Sequence, residues 1–416
     1  MKKAAAILVC WLGICGAGFA ESIANLDMTN VEKDLGNGSR VFWLYGNTLP
    51  GPTIVCKVGE SITIRGVNGL TGHSNIHWHG LSIPNNQDGM MKNIIAGERF
   101  SFEFTPEEAG TYWYHSFKNP MAQQMEMGLY GAFIVKRAED DNYQGDHTFI
   151  IGKHYGVMPS SSHNPNGIGL LINGQAANGV TPLMVKTGDV QKVRFINAMT
   201  EGALSIKMTG HLFRVTHMDG YGVFKPYETG GFELWPGERI DAEIKMEGKA
   251  GERYELQLND RTIIPILYEK GGNSSAAYVY VPESMPDWLK NLSEKNDYTL
   301  TFAEGLGEGM RQWNVNGKSF PDTDLNKINV GQVVRLRLWN TDATATHVIH
   351  IQGTHFLIVG ENGRTKEPVS WKDTVAIPSA TYIDVAFVMK AKGDWMVYCQ
   401  EAKHADGGMI TVLRAN

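Results

Sequence analysis

Short stretches in which apolar and polar residues alternate run through most of the chain, broken by glycine, proline and asparagine. One such stretch recurs. GESITIRGVN starts at Gly59, GDVQKVRFIN at Gly188 and GQVVRLRLWN at Gly331. Each time an arginine follows the glycine by six residues (Arg65, Arg194, Arg337) and an asparagine by nine (Asn68, Asn197, Asn340). The residues between alternate with the period of two that a half-buried strand requires. The copies begin 129 and 143 residues apart, so the repeating unit is a domain rather than a solenoid turn. Asn173-Gly174 and Asn316-Gly317 precede the second and third copies, and Gly97-Glu98-Arg99 and Gly237-Glu238-Arg239 follow the first two. Few segments carry a long helical period. The pattern predicts an all-β chain of three tandem Greek-key sandwiches or barrels, read as antiparallel. Polar, proline-bearing joints near 137–146 and 282–296 divide it into 21–138, 139–290 and 291–416.

The first twenty residues stand outside that pattern. Lys2 and Lys3 precede an apolar run from Ala4 to Ala17, too short for a comfortable membrane span. Gly18 and Ala20 supply the small residues that a signal peptidase needs, so residues 1–20 read as a signal peptide cleaved after Ala20. The competing reading is an uncleaved anchor. A twin-arginine pair is absent, and Cys10 and Cys15 lack the small residue before them that a lipid anchor needs. The protein is therefore expected to be periplasmic or secreted and not membrane-spanning after cleavage. A net charge of −6 without basic runs argues against nucleic acid or anionic lipid as partners. Of four cysteines only Cys56 and Cys399 lie beyond the leader, which excludes a disulfide framework.

The repeat also lets the first domain be laid on the third. His77-Trp78-His79 then faces His350-Ile351-Gln352, and His115-Ser116-Phe117 faces Tyr398-Cys399-Gln400. In a strand, residues two apart share a face, so eight side chains from equivalent strands line a common interface, and four of them are histidines. The densest signal is at the end of the chain. Cys399 is followed by His404 at five residues and Met409 at ten, with His347 upstream. A thiolate, two imidazoles and a weak thioether form the donor set of a blue-copper electron-transfer site. Met90, Met91, Met121, Met125 and Met127 are read as core filling ahead of soft copper ligands. Cys56 is read as a buried thiol, and His73, His147, His154, His163, His211, His217 and His355 as structural or surface residues.

The three-domain layout, HWHG, TYWYHS, HVIHIQG and YCQEAKHADGGM resemble multicopper oxidases over essentially the whole chain beyond the leader. The resemblance is strongest to bacterial copper-resistance and laccase-like members, though without their long methionine-rich insertion. It implies three cupredoxin-like domains, with a type 1 copper in the third and a trinuclear cluster between the first and third that reduces O2 to water. By the family motifs, His347, Cys399, His404 and Met409 match the type 1 ligands, and His77 and His350 the type 2 ligands. One type 3 copper matches His79, His115 and Gln400, leaving two of three imidazoles. The other matches Phe117, Gln352 and Tyr398, none of them histidine. Three of four losses thus strike one metal position. Asp88 matches a family carboxylate near the type 2 copper, and its alternative role is to stabilise the turn before Gly89. The family's acidic residue after the last type 1 histidine is replaced by Ala405.

These residues lead to the expectation of a periplasmic copper-dependent oxidoreductase with Cys399, His404 and Asp88 in working roles. Copper is the expected cofactor, with one or two further ions at the interface. Cu(I), a phenol or a redox protein would donate electrons, and O2 reduction would be impaired or altered. The alternatives are copper binding for tolerance or trafficking without turnover, and a non-catalytic scaffold.

Overall fold

The computed structural model describes residues 22–416 apart from 36–38, 155–168, 177–178, 261, 272–275 and 308–309. The segment read as a signal peptide, Cys10, Cys15 and His163 lie outside those residues. Among the described residues the strands form seven sheets, and each sheet draws its strands from one copy of the repeat. In the first domain, the sheet ordered Gly51–Lys57, Tyr130–Lys136, Gly110–His115, His77–His79 packs on Ser22–Asn25, Ile62–Val67 and Arg99–Phe104. The second and third domains each pair a seven-stranded with a five-stranded sheet. Each domain closes over its own apolar core. No helix among the described residues is long and apolar enough to cross a membrane.

The repeated sequence has a physical reason in all three copies. Gly59, Gly188 and Gly331 sit at φ +76°, +88° and +80°, in a turn that favours glycine. The strands Ile62–Val67, Val190–Asn197 and Val333–Asn340 follow. The asparagine at the end of each is fully buried and closes the strand exit. Its side-chain oxygen accepts from the backbone N–H two residues on, at Leu70, Met199 and Asp342. Its amide donates to the backbone carbonyls of Ile94, Leu234 and Ile377. The Gly-Glu-Arg echo is the turn that meets this asparagine: Asn68 N donates to Glu98 O and Asn197 N to Glu238 O. In the third copy Asn340 N donates to Thr381 O, and Ala380 at φ +55° takes the turn, which is why the echo vanishes from the sequence there.

The expectation of purely antiparallel sheets is corrected. The repeat strand runs parallel to an early strand of its own domain: Ser22–Asn25 beside Ile62–Val67, Gly145–His154 beside Val190–Asn197, Tyr298–Gly307 beside Val333–Asn340. Those partners lie some forty residues away along the chain, beyond the reach of any local turn signal.

A fourth apolar cluster joins the domains, with Trp113, Met121 and Met125 from the first, Ile150 and Ile196 from the second, and Met396, Tyr398 and Ile410 from the third. Met90 is buried there too, as the core-filling reading expects, while Met91 is exposed. Cys56 is buried with a free thiol. Beside the cluster, Arg239 of the second domain donates to both oxygens of Asp373 in the third, at 2.8 and 2.7 Å, with both side chains fully buried. Gly80, the last residue of HWHG, lies against this pair at φ +87°, and a Cβ there would collide with both groups. Arg194 of the second domain likewise reaches Asp146, Asp241 and, at 3.0 Å, Thr111 of the first.

Removing one partner of a buried ion pair leaves the other charge uncompensated, at a cost of about 3–5 kcal/mol. Arg239→Ala is therefore expected to lower the midpoint of urea unfolding by a shift of that size, and Gly80→Ala to lower it through the collision. Midpoints that stay at the wild-type value in both variants would contradict this role for the pair.

Candidate metal centres

Two strands and one short helix assemble the first site. His347 opens the strand His347–Ile351, Cys399 ends Gly393–Cys399, and His404 lies in the short helix Ala402–Asp406. The loop between them is closed by its own backbone: Cys399 N donates to Met409 O at 3.1 Å, and Met409 N to His404 O at 2.9 Å. One ligand atom each of His347, Cys399 and His404 lies within 4.8 Å of the other two. His347 Nδ1 is 3.2 Å from His404 Nδ1, which is 3.4 Å from Cys399 Sγ. Met409 is fully buried in the same apolar core as Cys399. Burial pushes the His347 imidazole down to about 4. Burial, with His347 beside it, pushes His404 down to about 3. Both rings are thus neutral at neutral pH and offer lone pairs. Burial raises the Cys399 thiol above its ordinary value. A soft sulfur with two neutral imidazoles fits copper.

Sequence reasoning missed two neighbours of this site. Asp342 Oδ2 lies 3.4 Å from His347 Nε2, so the carboxylate faces one nitrogen while the other faces His404. The Trp313 indole lies over His404 with ring centroids 3.7 Å apart and stands edge-on to His347. Neither residue has a fixed spacing to the cysteine, so no sequence signal marked them. A third, Asp406, sits two residues after His404. Its carboxylate accepts from Met121 N and Ala122 N at 2.6 and 3.1 Å and so fastens the loop between Cys399 and Met409 to the first domain.

The second site lies between the first and third domains. Strand register places His77 opposite His115 and His350 opposite Tyr398, the same relation in the two domains. His77, His79 and His350 each bring one ligand nitrogen within 4.8 Å of the others, and His115 lies outside that trio. The four imidazoles are not equivalent. His115 Nε2 is 3.4 Å from His79 Nδ1, and its Nδ1 donates to Ser116 O at 2.9 Å. His79 Nε2 is 3.0 Å from Thr374 Oγ1 and 3.2 Å from Asp373 Oδ1. By contrast, the Nε2 atoms of His77 and His350 are buried with no hydrogen-bond partner. Their Nδ1 atoms are taken up, by Asp88 Oδ2 at 2.9 Å and by Asp373 O at 3.0 Å. An imidazole whose N–H is fixed on one side carries its lone pair on the other, the usual arrangement behind a metal ligand. Two such lone pairs, buried and without a partner, fit a metal ion.

Asp88 makes two kinds of contact. It accepts from Met90 N at 3.2 Å in the turn, and it holds His77. Burial alone would raise its carboxyl, but His77 and the hydrogen bonds from Gln352 and Met90 outweigh that and hold it below the ordinary value. Gln352 is spent on structure, since its Nε2 donates to Asp88 Oδ2 at 2.7 Å and its Oε1 accepts from Met396 N at 2.9 Å. Phe117 packs on Tyr398 with centroids 4.4 Å apart. The residues at the position without histidines therefore fill it with an amide bridge and two aromatic rings. Gln400 is different, because its amide is buried and neither of its polar atoms has a partner. His355, read as structural or surface, is buried against Asp373, with Nε2 3.3 Å from Oδ2.

Residues 26–140, 146–283 and 280–416 each match a family described as multicopper oxidase. The chain is 27% identical to the multicopper oxidase MmcO of Mycobacterium tuberculosis, covering 91% of this chain and 84% of that protein. It is 26% identical to the multicopper oxidase mco of Staphylococcus aureus, covering 91% and 85%. Among solved structures, a laccase of Pediococcus acidilactici superposes with a TM-score of 0.83 at 20% identity, over 97% of this chain and 91% of that one. A multicopper oxidase of Campylobacter jejuni, described as a metallo-oxidase, superposes with a TM-score of 0.78 at 22% identity, over 96% and 93%. Those two likenesses carry the fold, and the three matched segments together span nearly all of the described residues. On that footing, the chain belongs to the multicopper oxidase family.

Proposed function

We propose that the protein is an exported, copper-dependent oxidoreductase that takes up single electrons at His347, Cys399, His404 and Met409. The observation that carries this reading is the convergence of one sulfur and two neutral imidazole nitrogens within 4.8 Å, in the core that also holds Met409. Copper bound there supplies one-electron exchange with little change of geometry. The chain's own residues do the rest. Asp342 orients His347, and burial keeps both imidazoles neutral. His404 is the partly exposed member of the set, under Trp313, so Cu(I), a phenol or a redox protein would meet the protein at that edge. Cys399 continues along the backbone into Tyr398 and Gln400, which places the sulfur next to the interface in the chain.

At the interface, His77 and His350 would hold one copper, with Asp88 fixing His77, and His79 and His115 allow at most one more. Complete reduction of O2 needs four electrons, and the protein side chains that fill one type 3 position leave fewer metals to store them. Impaired or altered O2 reduction follows. A periplasmic or secreted location is supported by the basic start, short apolar run and small residues at Gly18 and Ala20. The same filled position favours a second reading, copper binding for tolerance without turnover, and steady O2 consumption with a phenol or Cu(I) separates the two.

On copper loading the protein is expected to turn intensely blue and to hold about two or three coppers per chain by elemental analysis. Cys399→Ser should lose the colour and any turnover. A colourless wild type, or four coppers, would contradict the reading. The pH dependence has a defined sign. The imidazoles are already deprotonated well below neutral pH, whereas the raised thiol keeps its proton until the metal displaces it. One proton released per ion makes copper affinity at this site rise about tenfold per pH unit between pH 5 and 8. An affinity independent of pH over that range would show that the thiol is not a donor.

A further inference from the structure

Among the polar groups around the interface that are buried without a partner, three lie on adjoining rings: His77 Nε2, His350 Nε2 and the Tyr398 hydroxyl. Buried polar groups are normally satisfied, and three orphans on adjoining rings call for a shared explanation. Tyr398 is the cross-strand neighbour of His350, with ring centroids 5.3 Å apart, and stands edge-to-face to His77 at 6.3 Å. Phe117 packs against its ring at 4.4 Å. No residue of the position that lost its histidines uses the hydroxyl, since Gln352 is committed to Asp88 and Met396 N.

We propose that the Tyr398 oxygen is a third metal donor, completing a mononuclear site with His77 Nε2 and His350 Nε2. This rests on the reading of the interface as a copper site and goes beyond it by naming the donor set. Two imidazoles and one oxygen, with no sulfur, would make a harder site than the cysteine quartet and suit Cu(II). The chain would thus carry two coppers of different character. One is soft-ligated and blue. The other is bound by nitrogen and oxygen, through a residue next to Cys399 in the chain. The substitution of histidine by tyrosine at this position then changes the ligand rather than abolishing the site. The scaffold agrees, because both histidines are already locked from behind, His77 by Asp88 and His350 by Asp373 O.

The test uses full-length protein loaded with Cu(II) alone, in the wild type and in a Cys399→Ser background that isolates the interface ion. The isolated ion is expected to give a non-blue electron-paramagnetic spectrum with an oxygen-to-copper charge-transfer absorption. Tyr398→Phe should abolish that absorption and weaken Cu(II) binding at least tenfold, while the otherwise wild-type chain keeps its blue band. The metal-free melting temperature of Tyr398→Phe should equal or exceed that of the parent, because an orphaned hydroxyl has been removed. Tyr398→His should restore affinity with an all-nitrogen spectrum. If Tyr398→Phe leaves the absorption, spectrum and affinity of the isolated ion unchanged, or if Tyr398→His restores nothing, the proposal is overturned. A wild type that never turns blue would refute the type 1 reading instead, and the Cys399→Ser comparison would still decide on Tyr398.

Discussion

One buried carboxylate, Asp373, holds the geometry together. It receives Arg239 from the second domain through both oxygens, meets His79 of the first, and lies against His350, His355 and Thr374 of the third. Burial penalises its charge, and Arg239 with the surrounding histidines outweighs the penalty, holding the carboxyl well below the usual range. Because each domain contributes to that one group, the relative placement of the domains and the aim of the imidazoles are a single problem. The glycines around it show how little room the solution leaves. Gly80 passes beside the ion pair, and Gly237, at φ +84°, brings the second domain's turn against His79 and Gln400. The second domain holds none of the proposed ligands, yet through Arg239 it sets where they stand.

Much of this was legible in the sequence because it is written locally. The glycine that opens each repeat strand and the asparagine that closes it perform the same backbone duty three times, so their spacing survives where little else does. The donor quartet was legible because three of its members lie within ten residues, on one loop closed by its own hydrogen bonds. What the sequence hid depends on contacts between distant segments. Asp373, Trp313 and Asp406 act on residues tens to hundreds of positions away, with no fixed spacing to mark them. The parallel strand pairs escaped for the same reason. Only the third copy's turn, where Ala380 replaces glycine at positive φ, broke a local rule outright.

The fate of the lost histidines has a physical logic. An erased metal site leaves a buried polar hole, which must be filled or satisfied. At one position it has been: Gln352 bridges Asp88 to a backbone N–H, and Phe117 closes on Tyr398. The adjacent pair, His77 and His350, keeps its outer nitrogens locked and its inner ones unpaired. A chain under pressure only to fold would gain by satisfying or removing those groups. On the proposed reading, these unpaired nitrogens beside a repacked neighbour are the part of the interface that binds metal, joined to the sulfur site through the short stretch from Tyr398 to Gln400.

The most direct measurement is anomalous diffraction at the copper edge from crystals of the fully loaded protein. The account predicts one peak among His347, Cys399 and His404, a separate peak bounded by His77 and His350, and none on the side packed by Phe117 and Gln352. Three close-set peaks at the interface, or no peak beside Cys399, would contradict it.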